Sequence, residues 1–165
     1  MLLYHGSTQV VEKPLILESA RMLDFGIGFY TTMNRKQAIR WAEKVAIRRK
    51  MDTRYLSIYE FDFEQAKQEL GILLFDEANA SWLDFVTTCR SGRKPPEEYD
   101  IVFGPVADDN VYATLQLYEQ GLLTREETLT RLKIEALYNQ ILFHTELALE
   151  FCKFKCAETL PIEAR

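Results

Sequence analysis

DFGIGFYTTMNRKQAIRWAEKVAIRRK, residues 24–50, sets two kinds of chain side by side. Gly26 and Gly28 stand two residues apart and are followed at once by Phe29 and Tyr30, the mark of a backbone that bends sharply and then presents rings. From Asn34 the pattern changes. Ala38, Ile39, Ala42, Val45 and Ala46 recur at helical spacing behind a natural N-cap, so residues 34–50 predict the clearest helix of the chain. The same stretch carries seven basic residues (Arg35, Lys36, Arg40, Lys44, Arg48, Arg49, Lys50) against one acid, Glu43, which is +6 in a chain of net charge −5. Long basic side chains on a solvated helix face are the ordinary explanation. A patch that draws an anionic ligand or partner is the functional one.

On either side the pattern alternates between strand and helix at irregular intervals. LLYH opens the chain as a short strand ending at Gly6, and residues 7–32, with Pro14, Gly26 and Gly28 and no sustained period, predict mostly loop. YLSIYEFDF (55–63) is β-branched and aromatic and predicts a strand; a second helix runs from about Asn79 to Arg90, stopped by Gly92 and Pro95-Pro96. YDIVFGP (99–105) predicts a buried strand, after which Asp108-Asp109-Asn110 caps a helix that ends at Gly121. Thr124 with Glu127 forms a capping box, LYNQILFH (137–144) another strand, Thr145 the cap of a brief helix, and CKFKCAETL (152–160) a last strand. This is the pattern of a single α+β domain over residues 1–165 rather than a regular parallel βαβ series.

Composition narrows the function. Cys89, Cys152 and Cys156 have no paired spacing and lie far from His5 and His144, which disfavours a zinc site and predicts no metal. The opening MLLYHGSTQ lacks the basic start and apolar core of a signal peptide, and no apolar run approaches the roughly 20 residues that span a bilayer, so a soluble, cytoplasmic protein with no membrane partner is expected. The acidic total argues against a nucleic-acid binder as a whole.

Three segments hold groups that packing alone explains poorly. In Tyr4-His5-Gly6-Ser7 a strand-end histidine can turn its ring into a cleft while the bare glycine backbone lets a flat ligand approach; a satisfied structural histidine is the bland alternative. Tyr30 and Trp41 lie eleven residues apart across a helix start, so a turn could bring their rings face to face around a cationic planar heteroaromatic; two core rings are the alternative. Gln140, in a strand expected to be buried, needs a hydrogen-bond partner, for which a ribose hydroxyl or a neighbouring backbone group would serve.

In their order and spacing these segments resemble the diphtheria-toxin and poly(ADP-ribose) polymerase branch of the ADP-ribosyltransferases. The wider set YHGS, LDFGIGFYTT, QAIRWA, YDIVFGPVADD and YNQILFHT also resembles a bacterial family of unknown function assigned to that fold. The resemblance spans Tyr4 to Thr145 and implies two small, packed, mainly antiparallel sheets with flanking helices and an NAD-binding cleft between them. It further implies that His5 bonds the ribose hydroxyls of NAD⁺, that Gly6 holds the nicotinamide carboxamide with Ser7 in support, and that Tyr30, following Gly28, stacks on the nicotinamide. Trp41 takes the place of a second tyrosine, and Arg21 is the residue expected to meet the pyrophosphate.

Gln140 falls where the branch usually carries its catalytic glutamate. Cleavage of the N-glycosidic bond passes through an oxocarbenium-like state, which a carboxylate stabilises and a neutral amide does not. Asp24, Asp108, Asp109 and Glu146 lie beside the motifs as other sources of negative charge. The expected function is mono-ADP-ribosyl transfer from NAD⁺ to a macromolecular acceptor, protein or nucleic acid, in a toxin, a defence factor or a housekeeping modifier, with a neutralising partner protein suggested by the resemblance. NAD⁺ hydrolysis and non-catalytic NAD⁺ binding or interaction stand as alternatives, and a cofactor-free nucleic-acid binder as the most distant.

Overall fold

The structure is a computed structural model of the 165-residue chain, and it describes residues 1–17, 23–106, 109–133 and 138–161. Among the described residues seven strands, β1 (Leu2–Ser7), β2 (Phe29–Thr32), β3 (Tyr55–Phe61), β4 (Ile72–Leu74), β5 (Ile101–Val106), β6 (Tyr138–Phe143) and β7 (Cys152–Thr159), form one sheet in the order β4-β5-β6-β2-β1-β3-β7. Every ladder is antiparallel except β4–β5. The helices are α1 (Arg35–Arg49), α2 (Phe63–Glu69), α3 (Ala80–Arg90), α4 (Asp109–Glu119), α5 (Arg125–Leu132) and α6 (Glu146–Leu149).

The α+β class and the mainly antiparallel pairing agree with expectation, but two packed sheets do not: the strands form one continuous hydrogen-bonded array. The seam is narrow, however. β1 and β2 share a single register pair, Tyr4 with Thr32, whereas β1 and β3 share six. Beyond that pair the two strands diverge, so β1, β3 and β7 form one wing and β2, β6, β5 and β4 the other. Pairing between strands so distant in sequence is settled by packing and leaves no local signature.

Strand alternation divides the core between the two faces. On β6, Ile141 and Phe143 join the cluster around Leu3, Phe29, Tyr59 and Phe61, while Leu142 joins Phe25, Trp82, Leu83, Val102 and Leu115 on the other face. On that second face α1 covers the β1/β3 wing through Ala38, Ala42, Leu56 and Ile58. Trp82, fully buried, satisfies its indole by donating to the Pro105 carbonyl at 2.7 Å.

Four helix starts follow local chemistry: the side chains of Asn34, Asn79 and Thr145 accept from backbone N–H groups three residues on, and Thr124 with Glu127 completes a reciprocal capping box. Other boundaries move. β1 runs through Gly6 to Ser7 because β3 continues to pair with it as far as Tyr55. The predicted loop of residues 7–32 contains β2 at its end, and the strand expected over 55–63 stops at Phe61, where Asp62 caps α2. Neither α2 nor the three-residue β4 was expected; both are too short to show a period.

Candidate functional site

The divergence of β1 from β2 opens a cleft of about 610 Å³, walled by β1, β2 and Gln140 of β6 on the strand side and by α1 on the helix side. Segments far apart in sequence meet there: His5, Gly6 and Ser7, then Gly28 and Tyr30, then Trp41, then Gln140. Arg21 and Asp108 lie outside the described residues, as does the side chain of Asp109. Glu146 stands in the first turn of α6 and does not line the cleft.

His5 fills the gap where the ladder stops. Its Nδ1 lies 2.8 Å from the Tyr30 carbonyl, and its ring packs on Phe29 with centroids 4.6 Å apart. A carbonyl only accepts, so Nδ1 carries the proton and Nε2 keeps a lone pair. Burial lowers the imidazole's pKa below its ordinary 6.5, partly offset by the bond to Tyr30. The ring is therefore a neutral hydrogen-bond acceptor on the side away from Tyr30.

Gly6 lines the cleft, and the packing of the fold also requires it to be bare. A β-carbon there would lie 1.9 Å from the Ala38 carbonyl oxygen, so the missing side chain admits the backbone of α1. Ser7 is turned to its own loop: Oγ donates to the Gln9 carbonyl at 2.6 Å and accepts from the Gln9 N–H at 3.1 Å.

Tyr30 braces the glycine turn. Its hydroxyl donates to the Gly26 carbonyl at 2.8 Å and accepts from the Phe25 N–H at 3.2 Å, while Gly26 takes a left-handed φ of 86° that favours glycine. Burial, with Asp24 adding to the effect, raises the phenol well above its ordinary pKa. Trp41 is 43% exposed and its ring lies under the Arg48 guanidinium, 5.7 Å from centroid to carbon. Tyr30 and Trp41 line one cleft, but among the described residues their rings are not stacked on each other.

Gln140 was expected to be buried and to need a partner, either a ribose hydroxyl or a neighbouring backbone group. Instead it is half-buried at the cleft wall, paired in register with Thr32 and Gly104, and among the described residues its amide makes no side-chain hydrogen bond. Alternation sets Gln140 in one cross-strand row with Thr32 and Tyr4, whereas His5 follows Leu3 onto the other face. The two reach the cleft from opposite faces, which only the splayed seam permits.

Several lining residues were not singled out. Arg90, at the end of α3, has a side chain only 7% exposed, held by Asp24 at 3.2 Å and Glu119 at 2.7 Å, with its guanidinium 4.4 Å from the Tyr112 ring centroid. Lys13, Arg48, Arg49 and Arg90 face the cleft, and the one acid among its described lining residues is the ion-paired Asp24. The basic run 35–50 hinted at Arg48 and Arg49, whereas Arg90 had no signal beyond the last turn of a helix.

The fold and site thus define an α+β protein with a splayed mixed sheet and a cationic cleft at its seam. Over residues 1–154 the chain matches the family described as protein of unknown function (DUF3990), and it belongs to that family. No curated protein and no solved structure matches it. No helix among the described residues is long and apolar enough to cross a membrane.

Proposed function

We propose that this cleft binds NAD⁺ and that the chain transfers ADP-ribose from it to a macromolecular acceptor, releasing nicotinamide. The observation that carries the reading is the charge of the cleft: Lys13, Arg48 and Arg49 line it, and its one described acid, Asp24, is paired with Arg90, in a protein of net charge −5. Such a surplus suits a pyrophosphate. About 610 Å³ lies within the roughly 300–1,000 Å³ range of small-molecule sites. The lone pair on His5 Nε2 suits a ribose hydroxyl, the Tyr30 ring suits nicotinamide, and the unpartnered Gln140 amide suits the 2′-hydroxyl beside the bond that breaks.

Non-catalytic NAD⁺ binding is a second reading, favoured by one observation. The described cleft carries no free carboxylate, since Asp24 is tied to Arg90, so nothing there offsets the positive charge of an oxocarbenium ion. Incubation with labelled NAD⁺ and cell lysate separates the readings: label on a macromolecule supports transfer, and free labelled ADP-ribose supports hydrolysis. Intact NAD⁺ with a raised Tm supports binding alone. No change in Tm at millimolar NAD⁺, with no label transferred, would remove the whole proposal.

A further inference from the structure

We infer that the outer face of α1 is a docking surface for single-stranded nucleic acid, which serves as the acceptor of the ADP-ribose; the acceptor role rests on the NAD⁺ reading. The buried stripe of α1 is Ala38, Ala42, Val45 and Ala46. Turned from it, Lys36, Arg40 and Lys44 are all exposed at four-residue intervals, a slanting row of cations that rises about 6 Å along the helix per step. Beside that row runs a second, Gln37, Trp41 and Arg48, which lines the cleft. Trp41, in the middle of this basic helix, is 43% exposed, with the Arg48 guanidinium 5.7 Å from its ring centroid. A second aromatic residue, Tyr112, is 45% exposed in the same cleft.

Cations tracking a backbone beside exposed aromatic faces are what an unpaired strand requires: phosphates meet the charges, and a base stacks on a ring. A duplex keeps its bases paired and stacked and so offers no free base face to an exposed ring. A strand lying along α1 would bring a base to the cleft mouth. There a nucleophilic atom donates its lone pair to C1 of the nicotinamide ribose as the bond from that carbon to nicotinamide breaks. The electron pair leaves with neutral nicotinamide, and the acceptor proton passes to water.

The test is the anisotropy of a fluorescein-labelled oligothymidylate titrated with the protein in the absence of NAD⁺. Quenching of Trp41 is read in parallel, since the only other tryptophan, Trp82, is fully buried. Binding should weaken steeply with salt and should quench Trp41. The triple variant Lys36→Glu/Arg40→Glu/Lys44→Glu should lose about 10- to 100-fold in affinity and flatten the salt slope by about 2 or more, while keeping its NAD⁺-induced Tm shift. Trp41→Leu should lose about 10-fold and Trp41→Phe much less. Equal affinity for a duplex or for heparin, or binding indifferent to the triple variant and to Trp41, would overturn the surface. A protein that binds the oligonucleotide as described but shows no NAD⁺-induced Tm shift would retain the surface and overturn only the acceptor role.

Discussion

Gly6 and Ala38 are in backbone contact: a β-carbon on Gly6 would lie 1.9 Å from the Ala38 carbonyl oxygen and 2.9 Å from the Ala42 nitrogen. Helix α1 therefore rests directly on β1, backbone against backbone, and this contact sets the distance between the strand that carries His5 and the helix that carries Trp41. Gly6→Ala should drive them apart at a cost of about 3 kcal/mol, near the upper end for overpacking. For a chain of this size that lowers Tm by roughly 6–12 °C. A variant melting within a degree of the parent would show that the contact yields easily.

Tyr30 joins the glycine turn to the sheet through its hydroxyl, which both donates to Gly26 and accepts from Phe25. Tyr30→Phe keeps the ring but strips both partners, and should cost about 1–3 kcal/mol in urea unfolding. NAD⁺-induced stabilisation should fall only in part, because the ring still stacks; Tyr30→Ala should abolish it. Equal loss of NAD⁺ binding in both variants would assign recognition to the shape of the turn rather than to the ring.

Acid should weaken the fold through its two histidines. Burial lowers the pKa of both His5 and His144 below the ordinary 6.5. Below pH 6.5 the unfolded chain takes up protons that the folded imidazoles refuse, so stability is complete above that pH and declines as the pH falls towards the folded values. Protonation also turns His5 Nε2 from acceptor to donor, so NAD⁺ binding should decline over the same range. Tm measured from pH 8 to pH 5 reads the first effect. A flat profile through that window would mean that neither ring is shielded as the packing indicates.

Gln140 lines the cleft without a described hydrogen-bond partner, so Gln140→Glu adds charge without breaking a bond. The nearby cations of the cleft favour the carboxylate, and the release of nicotinamide should rise, by on the order of 100-fold if the charge meets the oxocarbenium ion. Gln140→Ala should slow release while weakening NAD⁺ binding by no more than about 10-fold, the worth of one neutral hydrogen bond. Rates unmoved by either change would make Gln140 a bystander in β6.

The candidate site was legible in part. His5, Tyr30, Trp41 and Gln140 stood out because each puts a functional group where a local pattern leaves it unexplained, and all four do line one cleft. Arg90, Lys13 and Tyr112 gave no such signal. Arg90 acquires its place only when α3 packs so that its last turn meets Asp24 and Glu119, residues 66 and 29 positions away.

Sequence alone determined the features whose causes are a few residues long. The cap at Asn34, the capping box of Thr124 and Glu127 and the cap at Thr145 depend on bonds between residues three apart, and the helical stripe of α1 depends on a period of 3.6. Only the tertiary structure decided that the strands form one sheet, that its seam narrows to Tyr4 and Thr32, and that Gly6 is bare for a helix. These depend on strand pairs up to about a hundred residues apart, such as Thr32 with Gln140, whose register is selected by packing both faces of the sheet at once. No local stretch of chain contains that information, because neither face is complete until both wings are in place.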